Sequence, residues 1–325
     1  HHEKVVVVDD RVAFVGGIDL GRRRWDTPEH RPDDPRRRSP EDRSYAPHHD
    51  LQVAVGGDAA ATLGALARER WRRATGQELA APDVDSDPWP EHLDADVRDL
   101  EVGIVRTRPE HDGLDAVRET ERLHERLIAS ARRLVYAENQ YLTSADVGRA
   151  LAARVDEDDG PEVVAVVPED NDGWLEQTTM GSLRAKVCRE IRQHDRNDRF
   201  GLYFPVVGGG VAPNVHSKLL MADDQLLYVG SANLSTRSMR LDSECGLALD
   251  AGDRDDVRRC LRRLRRGLLA EHLAATRDAV AAAEESKGTL GAIEELRGGD
   301  RSLQPLPCDE PDLPDMLEPL ARLAA

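Results

Sequence analysis

HEKVVVVDDRVAFVGGIDL, from His2 to Leu20, returns in outline as HSKLLMADDQLLYVGSANL, from His216 to Leu234. The offset is 214 positions, with no gap. His2, Lys4, Asp9, Asp10, Val15, Gly16 and Leu20 match His216, Lys218, Asp223, Asp224, Val229, Gly230 and Leu234. Each copy holds an apolar run, a turn at paired aspartates, and a second apolar run closed by glycine. Runs as short as Val5 to Val8 and Val12 to Val15 predict buried strands. A repeat built on His and Lys, rather than on apolar residues, points to two half-sites that meet at one centre.

Lysine usage supports that reading. The chain carries 45 Lys+Arg, of which only Lys4, Lys186, Lys218 and Lys287 are lysines. Two of these four occupy the same place in the repeat. An ammonium is a compact point charge and a guanidinium a planar fork, so these two positions call for the former.

Working outward, residues 21 to 48 are rich in Arg, Asp and Pro and predict a long, solvated loop, with contact to anionic lipid headgroups as its functional alternative. Leu51 to Val55 predicts a strand, and Asp58 a cap for a helix from about Ala59 to Thr75. Residues 76 to 99, with Pro82, Pro88 and Pro90, predict a linker. Helices are expected over Leu114 to Arg133, Leu175 to His194 and most of Arg254 to Ala283. Strands are expected at Leu134 to Ala137, Val163 to Val167, Leu202 to Val207 and Cys245 to Leu249. The proline-marked end predicts irregular chain. Strands alternating with helices imply an α/β layered fold: two repeated α/β/α halves with the active site at their seam, the first half truncated at its N-terminus. The corresponding parts are 1–99, the rest of the first half with a linker; 100–251, the second half; and 252–325, a helical extension and tail.

Composition bounds the partners. Net charge is −17, with 33% charged residues, which argues against broad nucleic-acid binding because that needs a basic face. Cys188, Cys245, Cys260 and Cys308 show no C-x-x-C pairing and suggest reduced thiols. No apolar run approaches the ~20 residues of a membrane span. The expected setting is cytoplasmic, peripheral at a membrane. His30, His48, His92, His111, His124, His194 and His272 are expected in loops or on polar helix faces, and His49 is left without a role.

Histidine and lysine two apart on a strand project from one face. Two facing copies give two imidazoles and two ammoniums around a pocket suited to a phosphodiester. The ammoniums, with Ser231 and Asn233, can hold the non-bridging oxygens. One imidazole can attack phosphorus while the other protonates the departing alkoxide. No metal or cofactor is required. Each imidazole needs a carboxylate on its other nitrogen to fix the tautomer. Glu244, 28 residues past His216, and Asp50 both stand just before a short apolar strand and supply that pair.

The paired HxKxxxxD motifs resemble those of the phospholipase D superfamily. GGIDLGRRRWD (Gly16 to Asp26), YAENQYLTS (Tyr136 to Ser144) and GSANLSTRSMRLDSE (Gly230 to Glu244) look like the branch shared by bacterial and eukaryotic-type enzymes. The resemblance covers most of residues 1 to 250. It implies a phosphohistidine intermediate, with His2 as nucleophile and His216 as general acid, then base. It implies that Lys4 and Lys218 bind phosphate with Ser231 and Asn233, and that Gly17 holds the place of Ser231 in the first copy. Asp50 and Glu244 would orient the imidazoles, and Asp9 and Asp223 would be structural. Asp19 replaces Asn233 in the first copy, and an acid there repels phosphate. Glu138 and Asn139 are candidates for the pocket floor. The activity implied is hydrolysis of glycerophospholipids or transfer of their phosphatidyl group, with a phospholipid surface as partner and water or an alcohol as acceptor. The alternatives are a cardiolipin or other phospholipid synthase, a nuclease, and a non-catalytic module of the same fold that binds membranes or proteins.

Overall fold

Each motif copy folds as a β-hairpin. In the first, β1 (Val5–Val8) pairs antiparallel with β2 (Val12–Gly16) across a turn in which Asp9 and Asp10 both take positive φ. Aspartate is one of the few residues that tolerates this conformation. After a long loop come β3 (His48–His49), β4 (Gln52–Gly56) and α1 (Gly57–Thr75). β1, β2 and β4 form a three-stranded sheet. α1 starts at Gly57, so Asp58 lies in its first turn and makes no cap bond. It ends at left-handed Gly76, whose N–H returns to the Arg72 carbonyl. This computed structural model describes residues 1–85, 87–170 and 174–309.

The rest of the chain runs β5 (Val102–Arg108), β6 (Val117–Arg118), α2 (Glu119–Ser130), β7 (Leu134–Asn139), α3 (Ala145–Val155), β8 (Glu162–Val166), α4 (Trp174–His194) and β9 (Phe200–Val207). Then follow β10 (Asn214–Val215), β11 (Lys218–Ala222), β12 (Leu226–Gly230), α5 (Thr236–Arg240), β13 (Glu244–Asp250), α6 (Asp255–His272), α7 (Arg277–Leu296) and β14 (Arg301–Pro305). Nine of these strands form one sheet in the order β14-β9-β8-β7-β11-β12-β13-β5-β6. The second hairpin, β11–β12, has the same turn as the first, with Asp223 and Asp224 at positive φ. β13 lies beside β12 as β4 lies beside β2. The repeat therefore extends to backbone conformation and strand order.

The core follows the layers. Val135, Ala137, Leu220 and Tyr228 face Leu127, Leu151 and Ile191 on one side of the large sheet. Tyr136, Leu219 and Val229 face Leu261, Leu268 and Ile293 on the other. Ala13, Val15 and Leu63 of the first copy bury themselves against Cys245 and Leu247 of β13. This third cluster joins the two copies.

The structure corrects several expectations. Residues 114 to 118 are a bridge residue, irregular chain and strand rather than helix, because β6 pairs with the edge of β5 before α2 begins. The stretch from Arg254 is two helices, α6 and α7. Residues 301 to 305 are not irregular: they pair with β9 as an edge strand, with Leu303 fully buried. That pairing carries Cys308 to Cys188 on α4, and the two form a disulfide with a Cα–Cα distance of 5.6 Å. The expectation of four reduced thiols fails there, since a separation of 120 residues leaves no local signal. Pro311, Pro314 and the rest of the tail lie outside the described residues. The Arg-rich loop is only partly solvated. Arg37 is 1% exposed and donates to Asp26 and to the Arg31, Pro32 and Tyr45 carbonyls.

Candidate active site

The two histidine–carboxylate pairs cross between the copies. β3 and β10 pair in parallel, with Val215 opposite His49. The next residue on each strand is therefore Asp50 and His216, and His216 Nδ1 meets Asp50 Oδ2 at 2.9 Å. At the other side the His2 N–H donates to the Ser243 carbonyl at 3.0 Å. Glu244 is the next residue, and both its oxygens lie 3.0 Å from His2 Nδ1. The first copy's imidazole is thus held by the second copy's acid, and the reverse. In both pairs the carboxylate fixes the proton on Nδ1, which leaves Nε2 free for chemistry.

Burial sets the charges. His216 is pulled down to about 4, by burial first and then by the Lys218 ammonium. Burial pushes Asp50 up, but the hydrogen bonds from His216 and His48 and the Lys218 and His216 charges together outweigh it and hold it at about 2. Lys218 is fully buried, and loss of solvent brings its ammonium down to about 7. It donates to the His216 carbonyl and to Gln140 Oε1, the latter at 3.1 Å. Lys4 donates to the His2 carbonyl at 2.9 Å, the same i to i−2 contact. It also pairs with Asp19 at 3.3 Å, so the acid that replaces Asn233 offsets the first copy's ammonium.

Ser231 does not point its hydroxyl at an open pocket. It donates to Glu244 Oε2 and to the Cys245 carbonyl, so it secures the carboxylate that holds His2. Gly17, at the equivalent place, leaves room for the other acid. A Cβ there would lie 2.1 Å from Asp50 Oδ1 and 2.8 Å from the His216 carbonyl. Asn233 is buried, and its Oδ1 has no hydrogen-bond partner. That oxygen is an acceptor and suits a ligand hydroxyl, whereas a phosphate oxygen would have to be met by the Asn233 amide N–H groups.

Asp223 accepts the Arg132, Arg133 and Leu134 N–H groups at 2.7, 2.8 and 2.9 Å, a structural task. Asp9 sits at the matching turn position. Sequence reasoning missed the buried histidines. His30, His48, His124 and His272 are each at most 5% exposed, not on the surface. His49 is equally buried, with Nε2 2.6 Å from Glu138 Oε2. Asn139 is buried with Glu138 at the end of β7, and its side chain accepts the Tyr141 and Leu234 N–H groups. The available signal was the quoted YAENQYLTS stretch, which supplies Glu138, Asn139 and Gln140 together.

Among the described residues no helix is long and apolar enough to cross a membrane. A family profile described as "Cardiolipin synthase, PLD-like domain" matches residues 125–263. Cardiolipin synthase A of Pectobacterium carotovorum subsp. carotovorum is 24% identical over 257 residues, covering 77% of this chain and 44% of that protein. Probable cardiolipin synthase YwiE of Bacillus subtilis is 25% identical over 250 residues, covering 75% and 41%. The chain thus spans less than half the length of these curated relatives. Among solved structures, phosphatidylserine synthase of Haemophilus influenzae Rd KW20 shares the fold, with a TM-score of 0.50 and 13% identity over 99% of this chain and 69% of that one.

Proposed function

Because the chain belongs to the phospholipase D superfamily, we propose that it transfers phosphatidyl groups between alcohols, in the manner of a cardiolipin or related phospholipid synthase. The crossed pairs of His2 with Glu244 and His216 with Asp50 carry the chemistry. The similarity to proteins named cardiolipin synthase supports reading the acceptor as a lipid hydroxyl rather than water. Hydrolysis is the same reaction with water in that place.

His2 Nε2 attacks phosphorus of the donor phosphodiester, and the P–O bond to the leaving alcohol breaks. His216 delivers the proton that alcohol needs. The acceptor hydroxyl then gives its proton to His216 as its oxygen attacks phosphorus, and the bond to His2 breaks. Lys4, Lys218 and Asn233 hold the non-bridging oxygens. His216 is neutral in the empty site, which an acid should not be. A phosphodiester anion between His216 and Lys218 brings negative charge to both and raises both affinities for protons. The acid is therefore loaded when substrate binds.

The test uses the full-length protein with vesicles of phosphatidylglycerol. Cardiolipin and glycerol are the expected products, with a phosphate label trapped on the enzyme. The label should vanish in His2→Ala, and in His216→Ala it should form only from a donor whose leaving group needs no proton, such as a nitrophenyl phosphodiester, and then persist. Phosphatidic acid as the only lipid product would return the protein to hydrolysis. No label and no product in the active-fold protein would sink the catalytic reading altogether.

A further inference from the structure

A buried chain of acids and imidazoles runs behind the Asp50–His216 pair, and the transfer chemistry makes no use of it. Asp26 Oδ2 meets His30 Nδ1 at 2.9 Å, and His30 Nε2 meets Glu271 Oε1 at 3.0 Å. The same Glu271 oxygen meets His49 Nδ1 at 2.9 Å. His49 Nε2 meets Glu138 Oε2 at 2.6 Å, and Glu138 Oε1 meets His272 Nε2 at 3.1 Å. Carboxylate and imidazole alternate along its whole length.

His30 and His49 each face a carboxylate at both ring nitrogens. A neutral imidazole has one N–H and one lone pair, and a lone pair aimed at a carboxylate is repulsive. Both rings are therefore imidazolium. The charges then close. Asp26, Glu271 and Glu138 are balanced by His30, His49 and Arg37, whose Nη1 donates to Asp26 Oδ1 at 2.9 Å. His272 adds one N–H, and its Nδ1 has no partner, as a neutral ring allows. Buried charge is tolerable only when paired in this way. Burial opposes charge on His49, yet Glu138 and Glu271 outweigh it and push it well above the usual imidazole range. Members of the chain also lie close enough to share a cation. Their separations are those of charge-assisted hydrogen bonds, and His49 would have to serve two ions at once.

The chain touches the catalytic pair at two points. Glu138 Oε2 accepts from Ser217 Oγ at 3.2 Å, and Ser217 lies between His216 and Lys218. His49 precedes Asp50, and its carbonyl accepts the His216 N–H at 2.8 Å. We propose that Glu138 and His49 are a positioning pair, and that this charged chain clamps β3 beside β10 so that Asp50 stays on His216 Nδ1. The proposal rests on His216 being catalytic, but its first measurement does not.

That measurement is nitrogen-15 spectroscopy of ring-labelled histidines in the substrate-free protein. The groups facing His49 are Glu138 from β7, Glu271 and His272 from α6, and His30 from the loop. His30 and His49 should be doubly protonated through about pH 6 to 8, where a free imidazole loses its proton. In Glu138→Gln, His49 should lose its second proton and the His216 Nδ1–H signal should shift. With substrate, kcat should fall on the order of ten- to a hundredfold, typical of a group that orients a catalytic one, with KM unchanged. Ser217→Ala leaves the chain whole and cuts one link, so it should lower kcat less and leave His49 charged. A neutral His49 in the unaltered protein, or stoichiometric zinc in the purified protein, would overturn the proposal. So would a Glu138→Gln protein that melts earlier while its His216 signal and kcat stay put. If no lipid product forms at all, the spectra still decide the clamp and the transfer reading alone is lost.

Discussion

His2 and His216 occupy equivalent places in the two motif copies, but their surroundings differ. His2 is bound evenly by both oxygens of Glu244, and Ser231 holds that carboxylate from behind. His216 is bound by one oxygen of Asp50, beside a glycine, and against a buried bank of further histidines. Lys4 has Asp19 next to it, whereas Lys218 pairs with no carboxylate among the described residues and is fully buried. A duplicated motif has thus been given two electrostatic settings. Nearly equal residues with different neighbours can take opposite parts in one reaction, one attacking and one moving protons.

The largest effect expected from breaking this comparison comes from the choice of leaving group. On a lipid substrate, His2→Ala, His216→Ala, Asp50→Asn and Glu244→Gln should each lose about a thousandfold or more in kcat. A nitrophenyl phosphodiester releases a stable anion that needs no proton. It should restore most of the first step, read as a stoichiometric burst of nitrophenolate, to His216→Ala and to Asp50→Asn, and to neither of the others, while turnover stays slow because the acceptor still lacks its base. Rescue of Glu244→Gln in place of Asp50→Asn would show that each acid serves the histidine of its own copy.

A smaller contrast separates the supports of the two acids. Gly17→Ala drives a methyl into Asp50 and should cost on the order of a hundredfold in kcat, as misplaced catalytic groups do. Ser231→Ala removes one hydrogen bond to Glu244 and should cost roughly tenfold. Steady-state rates on the lipid substrate check both. Equal losses would mean that the two sides are supported alike.

The smallest effect is in stability. Lys218 titrates near 7 in the folded chain, against 10.5 for a free lysine. Between those values the unfolded chain holds a proton that the folded chain has released, so stability rises with pH across that window. Urea midpoints at a pH below 7 and one near 9 should show the rise, and Lys218→Met should remove it. A rise that persists in Lys218→Met would assign it to another group.

Much of the site was legible because it is local. The alternation that puts His2 with Lys4 and His216 with Lys218 on one strand face is a property of two or three residues. So is the Asp-Asp turn, which recurs with the same backbone signs in both copies. The buried histidines were not legible. His272 sits on a helix whose exposed face is dense with arginine, and His30 sits in an Arg- and Pro-rich loop. Composition marks both as surface, and only α6 packed against the loop and β7 makes them interior. Cys188 and Cys308 escaped for the same reason, as their meeting depends on β14 pairing with β9.

By itself the sequence determined the reagents: two imidazoles, two ammoniums, two carboxylates and the hairpins that present them. Short-range backbone geometry and side-chain chemistry fix these wherever the hairpins come to rest. The tertiary structure decided which acid holds which imidazole. That choice depends on β3 lying parallel to β10 and on His2 lying against Ser243, contacts between segments 166 and 241 residues apart. No local preference encodes such a pairing. It is set by how the two copies bury Ala13, Val15 and Leu63 against Cys245 and Leu247.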